Sequence, residues 1–336
     1  MTRFGRFLVL LCAAWLLFGC KAARADDCSA SATDIAFGQV SPVAGSDYYA
    51  SGSVTVTCTW SPITGLLNGT SAVLLPNATI CVNLGLGSVS SGGNRAMSNG
   101  GATLQYELYR DSTYAAGSVW GGGAGMPASA SGVSTVLAGL LALGSQSTTI
   151  PVYARIPAAA LAGAAPAGGQ AVASFAGSAS ISYAFSTLLT APCTSGKTAS
   201  FTFQVTATVI SDCLIGASPL SFGNQGVLNA AARSTTVLSV KCSSGTAYQV
   251  ALNGGSNGSL QAGRQMLNTN TGEKIGYRVS RTLDGTVWGD GSHGTDILSG
   301  TGTGAAQAVN VYGSVPKQAT PSPGNYQDRI TATLVF

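Results

Sequence analysis

The sequence predicts an all-β protein built as two β-sandwiches in tandem, and three observations lead there. Only two glutamates, Glu107 and Glu273, occur among 336 residues, whereas Gly numbers 45. Helix faces are normally stocked with Glu, Lys and Leu, so this composition favours strands separated by turns. The second observation is period-two alternation, clearest in Thr198–Cys213. There Phe201, Phe203, Val205, Ala207 and Val209 alternate with Thr202, Gln204, Thr206 and Thr208. Such a run suits a strand that buries one face. The third observation is that the chain repeats itself on either side of that strand.

Met1–Ala25 reads as a targeting segment. Arg3 and Arg6 form a basic start, Phe7–Phe18 an apolar core, and Ala23-Arg24-Ala25 a small-x-small cleavage site before Asp26. The core is shorter than the about 20 residues that span a bilayer. A lipoprotein signal is the competing reading, with Leu17-Phe18-Gly19-Cys20 placing Cys20 at a lipidated N-terminus. Bulky Phe18 does not suit that site. The chain has 16 Lys and Arg against 12 Asp and Glu. Arg3, Arg6, Lys21 and Arg24 all precede Asp26 and no acid does, so the remainder is formally neutral. A neutral, charge-poor surface argues against nucleic acid or an electrostatic membrane anchor as partner.

The residues after Ala25 favour two domains, 26–197 and 198–336. Six cysteines remain there: Cys28, Cys58, Cys81, Cys193, Cys213 and Cys242. An even count in an exported chain suggests disulfides. Cys28 stands nine residues before Phe37-Gly38, and Cys213 nine before Phe222-Gly223. The next cysteine follows 30 residues on in the first copy and 29 in the second. The repeat therefore pairs Cys28–Cys58 and Cys213–Cys242, leaving Cys81–Cys193. Zinc is disfavoured, because no CxxC occurs and there is one His; no metal or other cofactor is expected.

The repeat runs on. Arg95-Ala96-Met97 answers Arg264-Gln265-Met266, and Tyr106-Glu107-Leu108 answers Tyr277-Arg278-Val279. Val119-Trp120-Gly121 answers Val287-Trp288-Gly289, and Val152–Pro157 answers Val311–Pro316. Each copy closes on an alternating strand, Ser178–Tyr183 and Ile330–Phe336. Several short strands per unit of ~120–160 residues suggest a sandwich of the immunoglobulin kind.

Together, C-x8-FG, R-x-M, the Y-x-L/Y-x-V block, V-W-G and VY-x-x-[IV]P resemble the spore coat protein U family. That family supplies subunits of archaic, Csu-type chaperone–usher pili, and a two-copy chain resembles the two-domain tip adhesin of such pili. One departure is that Gly324–Asp328 of the second copy faces Ala171–Phe175 in the first, without the Asp. The resemblance implies a pilin-type sandwich lacking its last strand in the C-terminal copy. It implies as partners a periplasmic chaperone, an outer-membrane usher, the donor strand of the next pilin, and a host or abiotic surface. It also implies export through the periplasm to the pilus tip, and a role in adhesion and biofilm formation. With Asp26 and Asp27 alone ahead of Cys28, a free N-terminal donor strand is not expected. Thr198–Ser211 resembles that extension fused internally, with Phe201, Phe203, Val205, Ala207 and Val209 as its inserting residues. It could instead be an ordinary first strand of the second domain. Ile330, Ala332, Leu334 and Phe336 would form the chaperone-facing C-terminal strand.

Three stretches are longer in the first copy and unusually apolar for loops. They carry Trp60, Ile63, Leu66 and Leu67; Met126, Val136 and Leu137; and Leu161. Long loops on a rigid sandwich commonly carry function, so these are the candidate adhesive residues; the bland alternative is that they fold back over the core. A free secreted carbohydrate-binding or coat protein is the alternative function. A serine hydrolase is more remote: Gly254-Gly255-Ser256-Asn257-Gly258 fits G-x-S-x-G, with Asp284 or Asp290 and then His293 behind it. That motif requires a strand-to-helix elbow, and a Gly/Asn-rich turn explains the residues better. No enzymatic activity is expected.

Overall fold

The computed structural model describes residues 26–59, 63–67, 70–74, 77–100, 102–138, 145–162, 164–166, 169–186, 191–193 and 196–336, without the side chains of 63–67 and 70–74. The targeting segment, Cys20 and Trp60 lie outside these residues. Both halves are immunoglobulin-like β-sandwiches.

In the first sandwich, one sheet runs β1 (Asp27–Ala32), β3 (Tyr48–Thr59), β12 (Ser145–Ile156), β10 (Glu107–Tyr109). A second runs β11 (Val133–Leu137), β6 (Asn77–Leu84), β14 (Ala179–Ser186), β15 (Lys197–Phe201). A third runs β2 (Ile35–Val40), β16 (Gln204–Val209), β13 (Gln170–Ser174), β8 (Asn94–Asn99), β7 (Ser90–Ser91), with β9 (Ala102–Gln105) also on β8. A hairpin, β4 (Ile63–Leu67) with β5 (Thr70–Leu74), stands apart. One helical turn, α1 (Ala158–Leu161), follows β12.

The second sandwich repeats this plan with fewer strands. Its larger sheet is β17 (Cys213–Ala217), β18 (Ala232–Cys242), β23 (Ala306–Val315), β21 (Lys274–Ser280), β20 (Arg264–Leu267). Its smaller sheet is β22 (Leu298–Thr301), β19 (Ala247–Leu252), β24 (Ala332–Val335). By order and pairing, β17, β18, β19, β20 and β24 stand where β1, β3, β6, β8 and β14 stand in the first copy.

Alternation decides what each strand buries. In β3, Val54, Val56 and Cys58 face the core while Thr55, Thr57 and Thr59 do not. Outside, Thr55 bonds Thr149 at 3.1 Å and Thr57 bonds Ser147 at 2.7 Å across the β3–β12 pair, the cross-strand pairing that stabilises a wet sheet face. The repeated Phe-Gly pairs have a backbone reason. Gly38 and Gly223 adopt φ of 70° and 65°, a region that suits Gly because it lacks Cβ. At Gly38 this lets β2 bulge, and its register against β16 shifts there.

Disulfides join Cys28 to Cys58, Cys213 to Cys242 and Cys81 to Cys193. The first two link residues directly opposite each other on β1–β3 and β17–β18, with Cα atoms 4.0 and 4.1 Å apart. Non-reducing peptide mapping of the exported protein should recover these three links; a Cys58–Cys81 peptide would contradict them. Replacing Cys28 and Cys58 by Ser should cost the first sandwich about 2–4 kcal/mol, read as a lower unfolding midpoint for that domain alone.

The Thr198–Ser211 stretch does not start the second domain's fold. Phe201, Phe203, Val205 and Ala207 are buried in the core of the first, with Val209 packed against it. The second core begins at Cys213. Ile210–Asp212 join the two units, and Ile210 N–H donates to Val40 O at 3.1 Å.

Candidate functional site

The site is a groove in the second sandwich, and two buried clamps common to both copies position it. In the first, Arg95 crosses the core: its Nε donates to Gly85 O at 2.8 Å, and its Nη2 to Leu84 O at 2.9 Å and Trp120 O at 2.7 Å. Trp120 Nε1 donates to Val82 O at 3.0 Å. The second copy rebuilds the clamp. Arg264 Nε and Nη2 donate to Asn253 O at 2.9 and 2.7 Å, Nη2 reaches Trp288 O at 2.7 Å, and Trp288 Nε1 donates to Val250 O at 2.9 Å. A planar guanidinium with five donors can satisfy several strand-end carbonyls at once. Hence R-x-M and V-W-G recur as fold determinants.

With the frames matched, the difference between the copies is one long strand. After β14, residues 197–209 return along the sandwich and change sheets. β15 pairs antiparallel with β14, Ala179 opposite Phe201 and Tyr183 opposite Lys197. After the exposed Thr202 the chain crosses, and β16 enters the other sheet. It lies antiparallel to β13 (Ala171 opposite Ala207) and parallel to β2 (Ile35 opposite Val205). Phe203 stacks on Phe175 with ring centroids 4.3 Å apart and on Phe201 at 6.3 Å.

The second copy has the walls of this slot and, among the described residues, no strand between them. The counterpart of β2 is the stretch holding Pro219, Leu220 and Phe222. The counterpart of β13 is the stretch around Gln327, which bridges Leu267 of β20 through N–H···O contacts of 2.9 and 3.1 Å. Between them lies an open cavity of about 710 Å³ lined by, among others, Leu220, Phe222, Leu238, Met266 and Ile330. Leu220, Phe222, Met266 and Ile330 remain only partly buried against the core beneath. β24 is an edge strand, whereas its counterpart β14 is covered by β15. At this edge Val335 and Phe336 are 60 % and 56 % exposed. Unpaired strand edges over an open core invite another strand.

Asp328 braces one rim. Its Oδ1 accepts Ser256 N–H at 2.9 Å, Asn257 N–H at 3.2 Å and Asn257 Nδ2 at 3.0 Å, and its Oδ2 accepts Tyr277 Oη–H at 2.7 Å. Burial, with the Asp328 bond and charge after it, pushes the Tyr277 phenol above its ordinary value. Gly254–Gly258 is thus a turn held by a carboxylate, with Gly255 at φ 83°. Ser256 Oγ donates to Arg329 O at 3.3 Å. His293 lines a different cleft from Ser256. The G-x-S-x-G order does not assemble into a nucleophile–base pair.

The other sequence-selected residues divide. Ile330, Ala332 and Leu334 turn toward the second core, and Ile330 and Ala332 line the groove. Leu161 and Leu137, expected at an adhesive surface, are instead 1 % and 8 % exposed in the first core. α1 folds Leu161 and β11 folds Leu137 back over the sandwich, as burial of large aliphatic groups favours. Val136 is 46 % exposed and Met126 partly so. The side chains of Ile63, Leu66 and Leu67 lie outside the described residues.

One surface feature escaped the sequence. Tyr49, Tyr109, Tyr114 and Tyr153 gather on the β3–β12–β10 sheet, Tyr114 lying 4.6, 5.3 and 6.3 Å from the Tyr49, Tyr109 and Tyr153 rings. Strand register aligns three of them, Tyr109 opposing Tyr153 and Tyr49 opposing Arg155, and Tyr114 joins them from the loop after β10.

Comparison with known proteins bears on both copies. None of the curated proteins compared with the chain matches it. Three solved structures are similar. The CsuC–CsuE chaperone–tip adhesion subunit pre-assembly complex from archaic Csu pili of Acinetobacter baumannii is 16% identical, covers 92% of this chain and 100% of its own, and has a TM-score of 0.49. A chaperone–tip adhesin complex of CFA/I fimbriae biogenesis is 11% identical over 90% of this chain and 94% of its own, TM-score 0.31. An adhesin of Mobiluncus mulieris with intramolecular cross-links is 7% identical over 84% of this chain and 75% of its own, TM-score 0.22. At these scores the likenesses carry no functional weight. The spore coat protein U domain profile matches residues 14–170 and 199–333. Matched twice and across most of its length, the chain belongs to the spore coat protein U domain family.

Proposed function

We propose that this chain is the tip subunit of a chaperone–usher pilus, with a first domain completed in cis and a second that accepts a strand from a partner. One observation carries the reading: two copies of one sandwich differ in that β16 fills the slot of the first while the same slot of the second is an open apolar groove. Family membership supports it, since spore coat protein U domains supply pilus subunits of this kind. A periplasmic chaperone would lend the strand first, at the outer-membrane usher the next pilin would replace it, and the first domain would face a host or abiotic surface.

The first copy also indicates how an incoming strand would sit. β16 runs antiparallel to β13 and inserts Phe203, Val205 and Ala207 at alternate positions. A donor strand in the second copy would pair likewise with the stretch from Gln327 to Ile330 and place alternate apolar groups over Leu238, Met266 and Val311. Backbone pairing supplies affinity and the alternate pockets supply register. Co-expression with the cognate chaperone should yield a one-to-one complex that a peptide of such alternation displaces. A mature chain that purifies as a stable monomer without any partner strand would count against the proposal and favour a free secreted protein.

Adhesion is assigned to the first domain, through the exposed Val136 and Met126 together with the Tyr49 patch. Val136→Asp with Met126→Asp should lower attachment to an apolar surface severalfold while export and unfolding midpoint stay unchanged. Attachment that survives both substitutions, and survives Tyr49→Ser added to them, would place adhesion elsewhere.

A further inference from the structure

The two clamps differ in one respect that points to a ligand. In the first copy Tyr106 N–H donates to Arg95 O at 3.1 Å, and the next residue, Glu107, forms an ion pair with Arg95 Nη1. In the second copy Arg264 stands opposite Tyr277 in the same register, and the next residue is Arg278. An acid has become a base at the point where the buried guanidinium found its counter-charge. Arg264 is 2 % exposed, and its Nη1 has no hydrogen-bond partner although its other nitrogens are bonded. Burial pulls its pKa below the ordinary value. A buried charge with neither ion pair nor full hydrogen bonding is unfavourable.

The surroundings replace Glu107 only at a distance: Asp328 favours the charged Arg264 through space, against the effect of burial, and makes no bond to Nη1. Arg264, Arg278 and His293 share an open cleft of about 490 Å³, with Thr286 and Thr295 also on its wall and no Asp or Glu among its lining residues. The neighbouring acids are engaged elsewhere. Asp328 has its oxygens on Tyr277, Ser256 and Asn257. Asp284 is held by Arg233 Nη2 at 2.8 Å, and Asp290 by Ser292 N–H at 2.9 Å. The Arg278 side chain is exposed, and its charge, after the direct bond from Arg233, helps hold the Asp284 carboxyl below its ordinary value.

We propose that this cleft binds a small oxyanion of the carboxylate type, which takes the place that the Glu107 carboxylate holds in the first copy. One carboxylate oxygen would accept from Arg264 Nη1, and the exposed Arg278 would hold the same group from the solvent side, as guanidinium groups do with planar oxyanions. The site shares only Tyr277 with the lining of the donor-strand groove. It therefore stands whether or not the chain assembles into a pilus.

The test titrates citrate, with phosphate for comparison, into the full mature chain as isolated, at constant ionic strength, by calorimetry. One saturable citrate site is expected, weakened at least tenfold by Arg278→Glu, which restores the first copy's arrangement. Arg278→Gln, which removes the charge without supplying an acid, should weaken binding less. Citrate should also raise the unfolding midpoint of the second domain in the native chain and not in Arg278→Glu, whose own midpoint should be the higher without anion. Absence of saturable binding, or equal binding by native chain and Arg278→Glu, would overturn the proposal.

Discussion

Phe203→Asp is expected to unfold the first sandwich and leave the second standing. Phe203 is buried between Phe175 and Phe201 at the crossing from β15 to β16. Truncating a buried Phe costs about 3–5 kcal/mol, and an unpaired carboxylate in its place adds a desolvation penalty. Small domains hold only about 5–15 kcal/mol of stability, so little of the first fold would survive. Calorimetry should show two transitions in the native chain and one in the variant. Two unperturbed transitions would mean that the strand contributes nothing to the first core.

The second large effect is expected at the groove. Leu220 and Ile330 stand on its opposite walls, each half-buried against the core below. Covering an aliphatic side chain with a partner strand is worth roughly 1.5–3 kcal/mol. Leu220→Asp with Ile330→Asp should then weaken capture of a partner strand by about 100-fold or more, since 1.4 kcal/mol is tenfold. The first-domain transition should not move, because neither residue touches that core. A complex that survives the double substitution would place the partner on another surface.

Much of this architecture was legible in the chain. Alternation exposed β16 and the closing strands β14 and β24, because strands with one wet face must alternate. The matched Cys, Phe-Gly, Arg and Trp positions disclosed two copies of one sandwich. What was not legible is where a strand changes partners. Thr198–Val209 alternates without interruption, and no Gly or Pro marks the step at Thr202 from β14 to β13. Sequence therefore leaves its domain open, and register settles which core it fills. The apolar insertions misled in part, since composition does not say whether Leu137 and Leu161 point outward or cover the core. The tyrosine patch needed three strands in register before residues far apart in sequence became neighbours. The exchange of Glu107 for Arg278 could be read from the repeat itself, yet its meaning depended on knowing that Arg95 and Arg264 are buried beside it.

Amide hydrogen exchange of the full mature chain, alone and in complex with the proposed chaperone, tests the central claim most directly. The claim is that the first sandwich holds its own final strand while the second waits for one. Amides of β13 and β16 should be protected in both states. Those of Asp328–Ile330 should exchange rapidly in the chain alone and become protected by at least tenfold in the complex. Equal protection of Asp328–Ile330 in a free, monomeric chain, or rapid exchange of β16, would contradict the account.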